Sequence, residues 1–154
     1  MIEERKKIIL DTDNGDDIDD LIALYFALHF SSKFEIVGIV CSFLNTSLRK
    51  RQIQYALNLF KQDNIPVFAG IGKPVNGLHC TDVNSIYCQY FDYLGKGEKE
   101  DENLAVDFLI NSAKKYKDKL TIVEIAPQLT LAAAIRKDKN AFKDTPIVLM
   151  AGCF

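Results

Sequence analysis

Six aspartates fall within ten residues of the segment IILDTDNGDDIDDLIAL: Asp11, Asp13, Asp16, Asp17, Asp19 and Asp20. Converging carboxylates repel one another and raise one another's pKa unless a cation neutralises them. The occupant that suits such a set is a hard divalent ion, Ca²⁺ or Mg²⁺, which takes several oxygen ligands at once. Gly15 permits a sharp turn that returns Asp13 toward Asp19 and Asp20. A solvated turn would use one aspartate as a helix cap. It would not call for aspartates at both a strand end and a helix start.

These carboxylates need a frame, and the hydrophobic pattern supplies one. Lys7 to Leu10 reads as a short apolar strand, and Leu21 to Phe30 as a helix with Leu21, Leu24, Tyr25 and Leu28 at helical spacing. Asp19 or Asp20 is placed to cap that helix. Phe34 to Ser42 is a strand apolar enough for burial on both faces. Thr46 to Gln62 is a helix with Leu48, Ile53, Ala56, Leu57 and Phe60 inward, and Ile65 to Gly70 is a strand with its proline at the start. Gly72 to Glu102 is irregular, with one short helix at Ser85 to Tyr93. Asn103 to Tyr116 and Leu129 to Lys137 are helices, and Leu120 to Ile125 and Ile147 to Met150 are strands. Alternation of strands and helices predicts an α/β fold, a mostly parallel open sheet with helices on both faces. In such a sheet, ligands bind at the carboxyl ends of the strands, where the aspartate loop lies.

Composition narrows the function. The chain of 154 residues is 48% hydrophobic and 26% charged, an ordinary single globular domain over residues 1–154. A net charge of −2 gives no basic surface for nucleic acid. No apolar run is long enough to span a bilayer, so no membrane is expected. The opening MIEERKKIIL is not a signal peptide. Cytoplasmic placement and reduced thiols at Cys41, Cys80, Cys88 and Cys153 are therefore expected. His29 reads as a packed or cap-side residue, and His79 as a solvated loop residue. The last strand is apolar and close to Phe154. It suggests a truncated chain, or a strand that pairs with another copy in a homo-oligomer.

Three metal readings compete. An EF-hand loop starting at Asp11 fails, because its sixth position is Asp16 and its twelfth is Ile22, and a strand precedes it. A Mg²⁺-dependent phosphatase of the haloacid-dehalogenase type would use Asp11 as nucleophile and Asp13 as acid/base, with Ser42 as its hydroxyl residue. That pattern usually continues Gly-Thr, whereas Gly15 is followed by Asp16-Asp17. The third reading covers more of the chain. Asp11-Thr12-Asp13-Asn14-Gly15, followed by Asp19-Asp20 and an Ala/Leu-rich helix, resembles the inosine-uridine-type nucleoside hydrolase family in a DTDxGxDxDD form. The segments from Val37 to Asn45, Ile65 to Gly70, Leu120 to Asp138 and Ile147 to Phe154 resemble further family segments in the same order.

The resemblance implies Ca²⁺-dependent hydrolysis of the N-glycosidic bond of ribonucleosides. It makes Asp13 both a calcium ligand and the base that takes a proton from water. It makes Asp20 a calcium ligand, with the backbone carbonyl at Leu129 as another. Asp19 and Asn45 would bind ribose, and Asp17 is an alternative to Asp19 or an extra ligand. The partner implied is a small nucleoside held by its ribose. The family's later Asn and carboxyl-terminal His-Asp pair have no counterpart here, so the chain reads as the amino-terminal portion of the domain. Full activity of this chain is not expected on that count, and a non-catalytic remnant that binds Ca²⁺ or ribose is the alternative.

Overall fold

The computed structural model describes residues 4–74 and 101–152. The strands among these residues are β1 (Lys6–Thr12), β2 (Phe34–Cys41), β3 (Val67–Ala69), β4 (Leu120–Glu124) and β5 (Ile147–Leu149). They form one sheet in the order β3-β2-β1-β4-β5, and every pairing is parallel. Among the described residues, four α-helices accompany them: α1 (Asp19–His29), α2 (Thr46–Leu59), α3 (Asn103–Tyr116) and α4 (Leu129–Lys137). The expected α/β class and parallel sheet are what the chain adopts. The short helix expected at Ser85 to Tyr93 lies outside the described residues.

Alternation along the central strands explains why both sheet faces are covered. Ile9 and Val40 face a core built with Ala105, Leu109 and Ile110 of α3 and Leu131 and Ala134 of α4. Leu10, Ile39 and Cys41 face the other way, onto Leu24 of α1 and Ile53 and Leu57 of α2. Each fully buried Ile or Leu contributes roughly 1.5–3 kcal/mol from removal of apolar surface from water. The β1–β2 register slips between Ile8 and Ile9, where Ile9 meets Gly38. A Cβ at Gly38 would run into the Phe108 ring, so the α3 aromatic requires a glycine there.

Several local expectations are corrected. β2 is buried only over its second half. Tyr25 and Phe60, expected inward, are 49% and 43% exposed and instead meet each other at 5.9 Å between ring centroids. Helical spacing marks a face but not how far a partner covers it. Inward positions on α2 go instead to two polar residues, Arg49 and Gln52, both buried. His29 is exposed in the last turn of α1 and stacks on Tyr25. Cys41 is a buried free thiol; His79, Cys80, Cys88 and Cys153 lie outside the described residues. Among the described residues, no helix is long and apolar enough to cross a membrane.

Candidate functional site

The sheet order reverses at the β1–β4 pair, from which the chain winds outward in both directions. This switch point leaves a crevice at the carboxyl ends of the strands. A cavity of about 330 Å³ lies there, within the range of small-molecule sites. Asp13, Asp16, Asp17, Asp19 and Asp20 line it from the loop after β1 and the start of α1. Ile125, Ala126, Pro127 and Gln128 line it from the loop after β4, and Met150 from the end of β5.

Local conformation folds the aspartates back on themselves. Gly15 has φ +108°, a left-handed value that L side chains rarely adopt, and a Cβ there would lie 2.5 Å from the Gln52 amide oxygen. Asn14 is buried, and its amide donates to Gln52 Oε1 at 2.9 Å and to the Arg49 carbonyl at 3.3 Å. Neither Asp19 nor Asp20 caps α1: the cap position is Ile18, with no side-chain bond. Asp19 instead accepts the Asp20 amide at 2.9 Å, and Asp20 accepts the Thr12 hydroxyl at 2.5 Å.

Electrostatics divides the six aspartates into groups. Asp11 is wholly buried at the β1 end, beside Glu124 of β4, and its carboxyl is held far above the usual range by burial and by that neighbour. Asp16 pairs with the buried Arg49 at 2.8 Å. Asp17, Asp19 and Asp20 offer carboxylate oxygens within 4.8 Å of one another, and Asp13 shares their cavity. Burial pushes Asp20 up to about 7, against the pull of the Thr12 hydroxyl, and burial also raises Asp13. A hydrogen bond between Asp17 and Asp19 raises the former and lowers the latter. Acceptor-only oxygens, close together and costly to ionise side by side, form a donor set that fits a hard divalent cation.

Of the expected site residues, the fold brings Asp13, Asp19 and Asp20 to one cavity and adds Asp17. It does not bring Asn45 or Leu129 there. Asn45 is exposed and caps α2, its Oδ1 accepting the Leu48 amide at 3.2 Å. Leu129 opens α4, its amide bonded to the Pro127 carbonyl at 2.6 Å, whereas the lining main chain runs from Ile125 to Gln128. Arg49, Gln52 and Met150 were missed, and only a charged residue at an inward α2 position signalled the first. The residue that the phosphatase reading would use as nucleophile, Asp11, has 0% exposure and does not line the cavity.

The family model of the inosine-uridine preferring nucleoside hydrolases matches residues 8–154. A probable uridine nucleosidase 2 of Arabidopsis thaliana is 32% identical, over 99% of this chain and 49% of the relative. Among solved structures, the plant nucleoside hydrolase PpNRh1 superposes with a TM-score of 0.79 at 26% identity, covering 98% of this chain and 49% of that one. A purine-preferring ribonucleoside hydrolase from Gardnerella vaginalis gives a TM-score of 0.76 at 27% identity, over 96% and 49%. The chain thus spans about half the length of the relatives it matches. With the family match running from β1 to the last residue, the chain belongs to the inosine-uridine preferring nucleoside hydrolase family.

Proposed function

We propose that this chain carries the metal- and ribose-binding part of a Ca²⁺-dependent nucleoside N-ribohydrolase, which splits ribonucleosides into base and ribose. The observation that carries the reading is the convergence of Asp13, Asp17, Asp19 and Asp20 in one cavity at the β1–β4 switch point.

Asp13, Asp17 and Asp20 would hold the ion, and a main-chain carbonyl from the Ile125–Gln128 loop or from Leu129 would complete the set. Bound Ca²⁺ supplies Lewis acidity that lowers the pKa of water. Asp13, raised by burial, takes a proton from water as general base. Asp19, exposed at the cavity edge, accepts from ribose hydroxyls. The same carboxylates face the positive charge that develops on the sugar in an oxocarbenium-like transition state. Asn45 enters only as the α2 cap, so ribose recognition falls to Asp19.

The named relatives divide between uridine and purine nucleosides. The test is therefore release of reducing sugar from both uridine and inosine, with Ca²⁺ and with chelator. Release that needs Ca²⁺ and disappears in Asp13→Ala supports the reading. The second reading is a chain that binds Ca²⁺ and ribose without hydrolysing nucleosides. Ca²⁺-dependent ribose binding without sugar release selects it. Absence of both binding and release removes both readings.

A further inference from the structure

Arg49 lies in the first turns of α2 and has 1% exposure. A buried guanidinium needs acceptors for its donors, and two loops supply four of them. Nη1 donates to the Asp13 carbonyl and, at 2.7 Å, to the Asn14 carbonyl. Nη2 donates to Asp16 Oδ2 at 2.8 Å, and Nε to the Phe43 carbonyl at 2.8 Å. Phe43 and Leu44 have φ of 73° and 55°, so the loop after β2 is held in a conformation that costs non-glycine residues about 1–3 kcal/mol each. One side chain thus fastens the loop after β1 to a strained loop after β2. A lysine, with its donors at a single point, cannot span this set.

We propose that Arg49 is the positioning residue of the aspartate loop: it fixes the main chain of Asp13 and Asn14 and withdraws Asp16 from the ion, so that cation affinity depends on a residue that touches no ligand. The loop holds more acidic residues than an ion needs, and Arg49 determines which of them the ion meets. Without it, three main-chain carbonyls, those of Asp13, Asn14 and Phe43, would lose a donor, and Asp16 would lose its cation. The part of the inference that concerns affinity rests on the proposed divalent site; the part that concerns loop conformation does not.

The test uses the full chain with Arg49→Lys, Arg49→Met and Asp16→Asn. Amide hydrogen exchange is measured without metal, and Ca²⁺ binding by calorimetry. In Arg49→Lys, exchange at residues 14–17 should quicken at least about tenfold, while the Ile9 and Ile122 core amides stay at wild-type rates. Its Ca²⁺ affinity should fall about tenfold, and that of Asp16→Asn should stay within about twofold of wild type. If Arg49→Met does not fold, Arg49→Lys carries the test. Wild-type loop exchange in folded Arg49 variants would overturn the proposal. So would an Asp16→Asn variant that loses Ca²⁺ as severely as Asp20→Asn, because Asp16 would then be a ligand. If the wild-type chain binds no Ca²⁺, the metal reading fails and the exchange result alone decides the role of Arg49.

Discussion

Asp11 and Glu124 lie opposite each other on the parallel strands β1 and β4, both with 0% exposure. Their carboxyl oxygens have no hydrogen-bond partner among the described residues. Burial pushes Glu124 up to about 7 and Asp11 well above its ordinary range, and the Glu124 charge raises Asp11 further. This buried acidic pair gives the fold a stability that depends on protons.

The sign follows from linkage. A carboxyl whose pKa is higher folded than unfolded binds more protons in the native state, so stability falls as pH rises between the two values. For Glu124 that window runs from its unfolded value to about 7. Its ionisation costs on the order of 3 kcal/mol across the window. Glu124→Gln should flatten the decline in urea midpoint between pH 5 and pH 8. A decline as steep as wild type would show that Glu124 does not carry it.

Cation binding should depend on pH in the opposite sense. Asp20, at about 7 without metal, must lose its proton to bind an ion. Ca²⁺ affinity should therefore fall by up to about tenfold per unit below pH 7, with proton release on binding. Calorimetry at pH 6 and pH 8 in buffers of different ionisation heat measures both effects. Equal affinity at the two pH values would exclude Asp20 as a ligand.

Gly15→Ala should destabilise the chain by about 1–3 kcal/mol, because φ +108° and the Gln52 amide both oppose a Cβ. The same change should weaken Ca²⁺ binding, since the turn sets where Asp13 and Asp17 stand. Urea unfolding and calorimetry on the same sample check both effects.

Asn45→Ala separates a cap from a sugar contact. Loss of the Oδ1 bond to the Leu48 amide should cost about 1 kcal/mol of stability. Ribose affinity in the presence of Ca²⁺ should remain at the wild-type value. A drop in ribose affinity would return Asn45 to the sugar site.

Much of this was legible in the sequence. The spacing of apolar residues located α3 and α4 with the bounds the structure shows, Asn103–Tyr116 and Leu129–Lys137. The strand–loop–helix order around Asp11 to Asp20 placed the acidic loop at the correct end of the sheet. What pattern could not supply was the assignment of each carboxylate. Asp11 and Asp16 are chemically like Asp17 and Asp20, and only partners distant in sequence set them apart: Asp11 lies buried beside Glu124, and Asp16, although it lines the cavity, is ion-paired with Arg49. Motif register pointed to Leu129, and it did not reveal that residues 125–128, just before it, border the cavity. Tyr25 and Phe60 share the spacing of buried residues, but their burial depends on what packs over α1 and α2.

The most direct test of the account is a calorimetric titration of Ca²⁺ into the full chain at pH 8, with and without ribose, repeated with Asp20→Asn. The account predicts saturable binding that ribose strengthens and that Asp20→Asn abolishes. A folded wild-type chain that takes up no Ca²⁺, or an Asp20→Asn variant that binds it unchanged, would contradict the claim that these aspartates form the metal and ribose site of a nucleoside hydrolase.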